Sequence, residues 1–241
     1  MSARGVEKVR SWLAEAGSVA VLTGAGVSAE NGIPTFRGDA GLWKQYRPEE
    51  LATPEAFRRN PKLVWEWYDW RRCRIAEAAP NPAHYALAAI EDRKPRFTLI
   101  TQNVDGLHDL AGSRRILKLH GDIWTVRCTT CGRENVDRRA PLPEIPPRCS
   151  CGGLLRPGVV WFGEMLSRDI LAEADKAASE ADLFLFAGTS AVVYPAAGLI
   201  QVAQAAGAKV VEVNLEETPY SGFVDVSLRG KAGVILPQLA A

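Results

Sequence analysis

Hydrophobic positions divide this chain into two kinds of segment. Val6, Val9, Trp12 and Leu13 recur at helical spacing across residues 4–16, and Gly17 follows as a stop. Val19 to Leu22 is a short, wholly apolar run that breaks into Gly24-Ala25-Gly26, the pattern of a buried parallel strand feeding a glycine turn. Residues 55–79 predict one long aromatic helix carrying Phe57, Leu63, Val64, Trp67 and Tyr68, ended by Pro80 to Pro82. Ala83–Glu91 reads as another helix, Phe97–Ile100 as a second buried strand and Ile116–Leu119 as a third. Later come a strand at Leu183–Phe186, a helix at Ala196–Ala206 and a strand at Lys209–Val213. Strands alternating with helices imply a parallel α/β sheet. Residues 127–156 break the pattern with four cysteines and a proline-rich stretch, Pro141 to Pro147. They predict an inserted module made rigid by something other than an apolar core.

Composition narrows the functional classes. Apolar residues make up 47% of the 241 and charged residues 24%, which excludes a globally disordered chain. With 29 basic and 28 acidic residues the net charge is +1, which argues against an electrostatic nucleic-acid or membrane-surface binder. No apolar run approaches the roughly 20 residues that span a bilayer. The first residues, MSARGVEKVRSWLAEAGSVA, are polar and helix-patterned with no signal-peptide core. The expectation is a soluble, monomeric, cytoplasmic protein without nucleic-acid or membrane partners.

Three features carry candidate chemistry. The glycine turn, Thr23 to Ser28, lets a backbone approach a pyrophosphate while helix N–H groups face its charge, although an ordinary strand-to-helix turn has the same look. Four of the five cysteines form close pairs, Cys128 with Cys131 and Cys149 with Cys151, separated by 17 residues. Such pairs suit a tetrahedral, closed and therefore structural zinc. Of the three histidines, His84, His108 and His120, the last follows an apolar run and would sit at the carboxyl end of a sheet strand, where open α/β sheets bind ligands. A neutral imidazole there can take a proton near neutral pH.

The segment Gly24-Ala25-Gly26-Val27-Ser28-Ala29-Glu30-Asn31-Gly32-Ile33-Pro34-Thr35-Phe36-Arg37-Gly38 resembles the signature of the sirtuins, NAD-dependent protein lysine deacylases, with Asn31 where that family usually has serine. Further matches follow in the family's order: Thr101 to His108 (TQNVDGLH), His120-Gly121-Asp122, the cysteine module, Leu155 to Glu164 (LRPGVVWFGE), Gly188-Thr189-Ser190 and Asn214-Leu215-Glu216. The resemblance spans about residues 5–235. It implies one catalytic unit over residues 1–241, with a Rossmann-like NAD-binding core, a small-domain helical segment at about 40–80 and an inserted zinc module at about 124–157. On that basis Gly24, Ala25, Gly26, Ser28, Ala29, Ile33, Pro34, Phe36, Arg37 and Trp43 contact the dinucleotide or order its loop. Gln102, Asn103, Val104 and Asp105 line the ribose and nicotinamide pocket. Gly188, Thr189 and Ser190 meet a phosphate or ribose, and Asn214, Leu215, Glu216 and Ala232 the adenosine end. His120 aligns with the family's catalytic base, and His84 and His108 are left to structure or pocket shaping.

The implied reaction is acyl transfer. The acyl-lysine amide oxygen attacks the nicotinamide ribose carbon and nicotinamide leaves. His120 then deprotonates a ribose hydroxyl that attacks the imidate, yielding lysine and O-acyl-ADP-ribose. One sirtuin subgroup carries Tyr-x-x-Arg where this chain has Tyr68 and Arg71, with a small residue matched by Ala52, and prefers succinyl-, malonyl- or glutaryl-lysine. A guanidinium and a phenol suit a carboxylate. Val160, Trp161, Phe162 and Gly163, expected to be extended with Val159, would pair with the substrate peptide as an added strand. The alternatives are a mono-ADP-ribosyltransferase and an NAD-sensing binding module.

Overall fold

The computed structural model describes residues 3–35 and 47–241. Helix α1 (Ala3–Glu15) leads into strand β1 (Ser18–Thr23), every residue of which is buried. The glycine turn after β1 is followed by two single 3-10 turns, Ala25–Val27 and Ala29–Asn31, where a helix was expected. Among the described residues the next elements are α2 (Pro48–Leu51), α3 (Pro54–Arg59) and α4 (Pro61–Ala76). The predicted single helix over 55–79 is therefore two. Asn60 leaves helical geometry to cap α4, its side chain accepting from the Leu63 amide at 3.1 Å, and Pro61 takes the first helical position.

The chain continues through α5 (Pro82–Arg93), β2 (Arg96–Thr101), α6 (Leu107–Leu110) and β3 (Ile116–Lys118). Next come β4 (Gly121–Cys128), β5 (Glu134–Val136) and β6 (Leu155–Val159). The last third holds α7 (Arg168–Ser179), β7 (Leu183–Ala187), α8 (Gly198–Ala205), β8 (Lys209–Asn214), β9 (Val226–Arg229) and α9 (Ala232–Ala240).

Six strands form a parallel sheet in the order β3-β2-β1-β7-β8-β9, with Val21 beside Leu99 on one side and Leu185 on the other. Helices cover both faces: α1, α5 and α9 pack on one around Val9, Leu87 and Ile235, and α7 and α8 on the other around Ala174 and Ile200. Double coverage explains why β1 and β7 are buried at every position, and apolar between Ser18 and Thr23 and throughout β7, rather than alternating. The chain steps from β1 to β2 in one direction and later places β7 on the other flank. The crevice between β1 and β7 is thus a topological switch point.

The cysteine module is a second, antiparallel sheet, β5-β4-β6. It has an apolar core after all. Ile123, Trp124, Val126, Leu142 and Leu155 pack with Val64, Trp65 and Tyr68 of α4 and with Phe57. Polar side chains of α4 fasten the contact. Trp65 Nε1 donates to the Leu155 carbonyl at 2.7 Å, Asp69 accepts from the Leu142 amide at 2.9 Å, and the buried Arg72 donates to the Asp137 and Arg139 carbonyls.

Candidate functional site

The glycine turn is shaped by the protein before any ligand is considered. A Cβ at Gly24 would lie 2.7 Å from the Gly188 carbonyl oxygen, and one at Gly26 would lie 2.8 Å from the Gly188 Cα. Gly188 itself has φ +58°, and a Cβ there would run into the Val27 amide nitrogen. The turns after β1 and β7 therefore touch backbone to backbone, and Gly26 N donates to the Gly188 carbonyl at 2.8 Å. Side chains staple the neighbouring strand ends: Gln102 Nε2 donates to Thr189 Oγ1, Asn103 Nδ2 to the Gly24 carbonyl, and Asn214 Nδ2 to the Thr189 carbonyl.

Above these strand ends opens a cleft of about 990 Å³, of a size that takes a large organic ligand. Gly24, Ala25, Gly26, Ala29, Gln102, Asn103, Val104, His120, Gly188, Thr189, Ser190, Asn214, Leu215, Glu216 and Ala232 line it. So do Ala52, Tyr68, Arg71, Val160, Trp161, Phe162 and Gly163 on the side of the small sheet. Ser28 and Asp105 lie beneath the floor instead. Ser28 Oγ donates to Asp105 Oδ2 at 2.8 Å, while Asp105 Oδ1 accepts from the Leu107 amide. Burial pushes the Asp105 carboxyl above the ordinary range, against the pull of those bonds and of Arg71. Ile33 packs toward the small-sheet core, and Pro34 is not in the cleft lining. Phe36, Arg37 and Trp43 lie outside the described residues.

Sequence reasoning gave no role to Glu30, Trp67, Glu164, Met165, Arg168, Tyr194 or Lys231, all in the lining. Glu164 stands inside a quoted motif and was legible there. Trp67 looks like any core aromatic of a helix, and Tyr194 and Lys231 carry no local signal.

His120 stands where the chain leaves β3 for β4. Gly121 makes that turn at φ +78°, and a Cβ there would strike the Gly158 carbonyl. The imidazole Nδ1 lies 3.0 Å from the Gln102 carbonyl oxygen. A carbonyl only accepts, so Nδ1 carries the proton and Nε2 keeps its lone pair. Burial lowers the His120 pKa, with the Gln102 bond opposing, so the ring is neutral at pH 7. His84 and His108 are deeper. Their rings are 4.7 Å apart, and burial lowers them to about 4 and about 3 respectively. His108 Nε2 meets Thr23 Oγ1 and His84 Nδ1 meets Asn81, contacts that belong to the sheet floor and a helix cap.

On α4, Tyr68 and Arg71 are one turn apart and both buried, with the guanidinium carbon 5.5 Å from the Tyr68 ring centroid and 4.9 Å from that of Trp67. The stretch expected to be extended is so only in part. Strand β6 ends at Val159, Val160 N donates to the His120 carbonyl, and Phe162 and Gly163 form a turn in which Gly163 has φ +84°.

The four cysteine sulfurs lie within 4.8 Å of one another, with Cys128 to Cys151 at 3.5 Å and Cys131 to Cys149 at 3.8 Å. Zinc–sulfur bonds of about 2.3 Å in a tetrahedron place sulfurs just under 4 Å apart, so the donor set fits zinc. Amide donation from Cys131 and Thr130 lowers the Cys128 thiol to about 6, while against its Gly153 amide bond the neighbouring sulfurs push the Cys151 thiol up to about 11.

A doubly wound sheet, a large crevice at its switch point, a histidine with a free Nε2 and a four-thiolate zinc module define a Rossmann-like protein of nucleotide chemistry. The Sir2 family model matches residues 24–195, and the chain belongs to that family. It is 58% identical over 223 residues to an NAD-dependent protein deacylase of Aquifex aeolicus (strain VF5), covering 92% of this chain and 93% of the relative. A crystal structure of a Sir2 homologue–NAD complex superposes with a TM-score of 0.91 at 51% identity, covering 97% of this chain and 92% of that one. A Sir2–p53 peptide–NAD+ complex superposes at 0.88 and 32% identity, covering 97% and 96%.

Proposed function

We infer that the chain is an NAD-dependent protein-lysine deacylase, and propose that it prefers acyl groups ending in a carboxylate, succinyl above acetyl. Bound NAD supplies an activated nicotinamide–ribose bond. The residues of the cleft fit such a co-substrate: polar groups crowd the ends of β1, β2, β7 and β8, and Glu216 beyond β8 suits unmodified ribose hydroxyls rather than a 2′-phosphate. His120 Nε2 takes the proton of a hydroxyl presented to it, while Gln102 holds the ring by Nδ1. Val160 and its neighbours line the same cleft and are assigned to the peptide. The four cysteines hold a structural zinc that takes no part in the chemistry. The protein is proposed to work as a cytoplasmic monomer on acylated-lysine proteins.

The observation that carries the acyl preference is the pairing of Tyr68 and Arg71, buried side by side on α4 in the wall of the cleft that His120 also lines. An apolar acyl end offers the guanidinium and the phenol no acceptor, whereas a carboxylate offers both one. Hydrogen bonds to charged groups are worth about 1.5–3 kcal/mol each, so two favour succinyl over acetyl by ~100-fold or more. One peptide assayed in succinyl and acetyl forms, with nicotinamide release quantified, tests this. Arg71→Met should lower desuccinylation far more than deacetylation, and equal losses would remove Arg71 from acyl recognition.

A further inference from the structure

One hydrogen bond in the cleft wall decides which way a hydroxyl points. Trp161 Nε1 donates to the Tyr68 phenol oxygen at 3.0 Å, joining the segment after β6 to α4 across 93 residues of sequence. An indole nitrogen can only donate, whereas a phenol offers one donor and two acceptor lone pairs. The bond therefore has one polarity, with Tyr68 accepting. Among the described residues no side chain or carbonyl takes the Tyr68 proton in return. A phenol O–H lies near the plane of its ring and has two favourable directions. With Trp161 holding one side, the proton takes the other, and Tyr68 meets the cleft as a donor.

The surroundings of Trp161 strengthen the same polarity. Glu164 accepts from the Trp161 amide at 2.8 Å and from both terminal nitrogens of Arg156, at 2.5 and 2.9 Å. This clamp sets the Arg156 guanidinium 3.5 Å from the Trp161 ring centroid. A cation over the indole face draws electron density from the ring and makes its N–H a better donor. A hydroxyl that accepts a stronger bond donates a stronger one in turn.

We infer that Trp161 is a positioning residue that locks Tyr68 as a donor, so that the pocket selects acyl ends that only accept hydrogen bonds and discriminates against isosteric carboxamides. This rests on the carboxylate reading of Tyr68 and Arg71. With both residues donating, a carboxylate satisfies them with either oxygen, but a carboxamide of the same shape turns its NH2 toward a donor. Freed from Trp161, the Tyr68 hydroxyl can rotate and accept from that NH2.

The test compares kcat/KM for one peptide carrying succinyl-lysine, its terminal carboxamide analogue succinamyl-lysine, or acetyl-lysine. Trp161→Phe should lower the succinyl-to-succinamyl ratio about tenfold, chiefly through KM, and should lower it no further in a Tyr68→Phe background. An unchanged ratio in Trp161→Phe, while Arg71→Met still collapses succinyl against acetyl, overturns the role of Trp161 and leaves the acyl reading standing. If Arg71→Met leaves succinyl against acetyl unchanged, the acyl reading fails and this inference with it. Should Trp161→Phe not fold, Tyr68→Phe alone decides: a ratio equal to that of the unaltered protein overturns the inference, and a tenfold drop supports it.

Discussion

At the scale of single residues, the three histidines separate by what surrounds them. His120 is buried enough to be neutral at pH 7 yet opens to the cleft, so its Nε2 works as a base. Because its pKa lies below the ordinary 6.5, kcat/KM should rise with pH and level off with a midpoint under that value. A pH profile on the free enzyme measures this, and His120→Ala should erase both the limb and the turnover. His84 and His108 act on stability instead. Their folded pKa values, about 4 and about 3, lie below the unfolded value, so the unfolded chain binds protons first on acidification. Stability should hold steady above about pH 6.5 and fall below it, by roughly 2 kcal/mol per histidine at pH 5. Urea midpoints at pH 7 and pH 5 test the slope. Equal midpoints would mean that these rings take protons in place.

At the scale of elements, the site is made by ends rather than by middles. The ends of β1, β2, β7 and β8 supply the cleft floor, and the contact between the β1 and β7 turns holds two of them together. Gly188→Ala should cost about 2–4 kcal/mol, since it adds left-handed strain to a collision with the Val27 amide. Thermal melts check this, and a shift of under one degree would mean that the two turns can part. The glycine motif was legible as a string, but its reason was not. Reading it as ligand clearance alone missed that Gly24, Gly26 and Gly188 need one another, a contact between residues more than 160 positions apart. The break at Asn60-Pro61 was legible in principle, because asparagine before proline is a strong cap-and-start pair that the aromatic run around it obscured. The turn at Phe162 and Gly163 was not. An apolar run looks extended until Glu164 is seen pulling on the Trp161 amide.

At the scale of the whole molecule, α4 packs on the small sheet and carries Tyr68 and Arg71 in the cleft wall and Trp65, Asp69 and Arg72 on the module side. Removing zinc should therefore reach the acyl pocket. Chelation under denaturant-free conditions should lower Tm by on the order of 10 °C or more and abolish turnover with it. Full activity at unchanged Tm after demonstrated metal loss would separate the module from α4.

The chain's local patterns suffice for five of the six strands of the parallel sheet, the helices α1, α5 and α8, the cysteine ligand pairs and the family motifs, because buried parallel strands and chelating turns are encoded within a few neighbouring residues; they leave β4, β5, β6, β9, α2, α6, α7 and α9 unread. They do not reach the polarity of the Trp161–Tyr68 bond, the tautomer of His120, the mutual need of the glycine turns or the apolar seam beneath the zinc module. Each of these depends on atoms brought within about 4 Å from separate parts of the chain: pairing of strands in the large sheet does so for the glycine turns and His120, and packing of α4 on the small sheet does so for the other two.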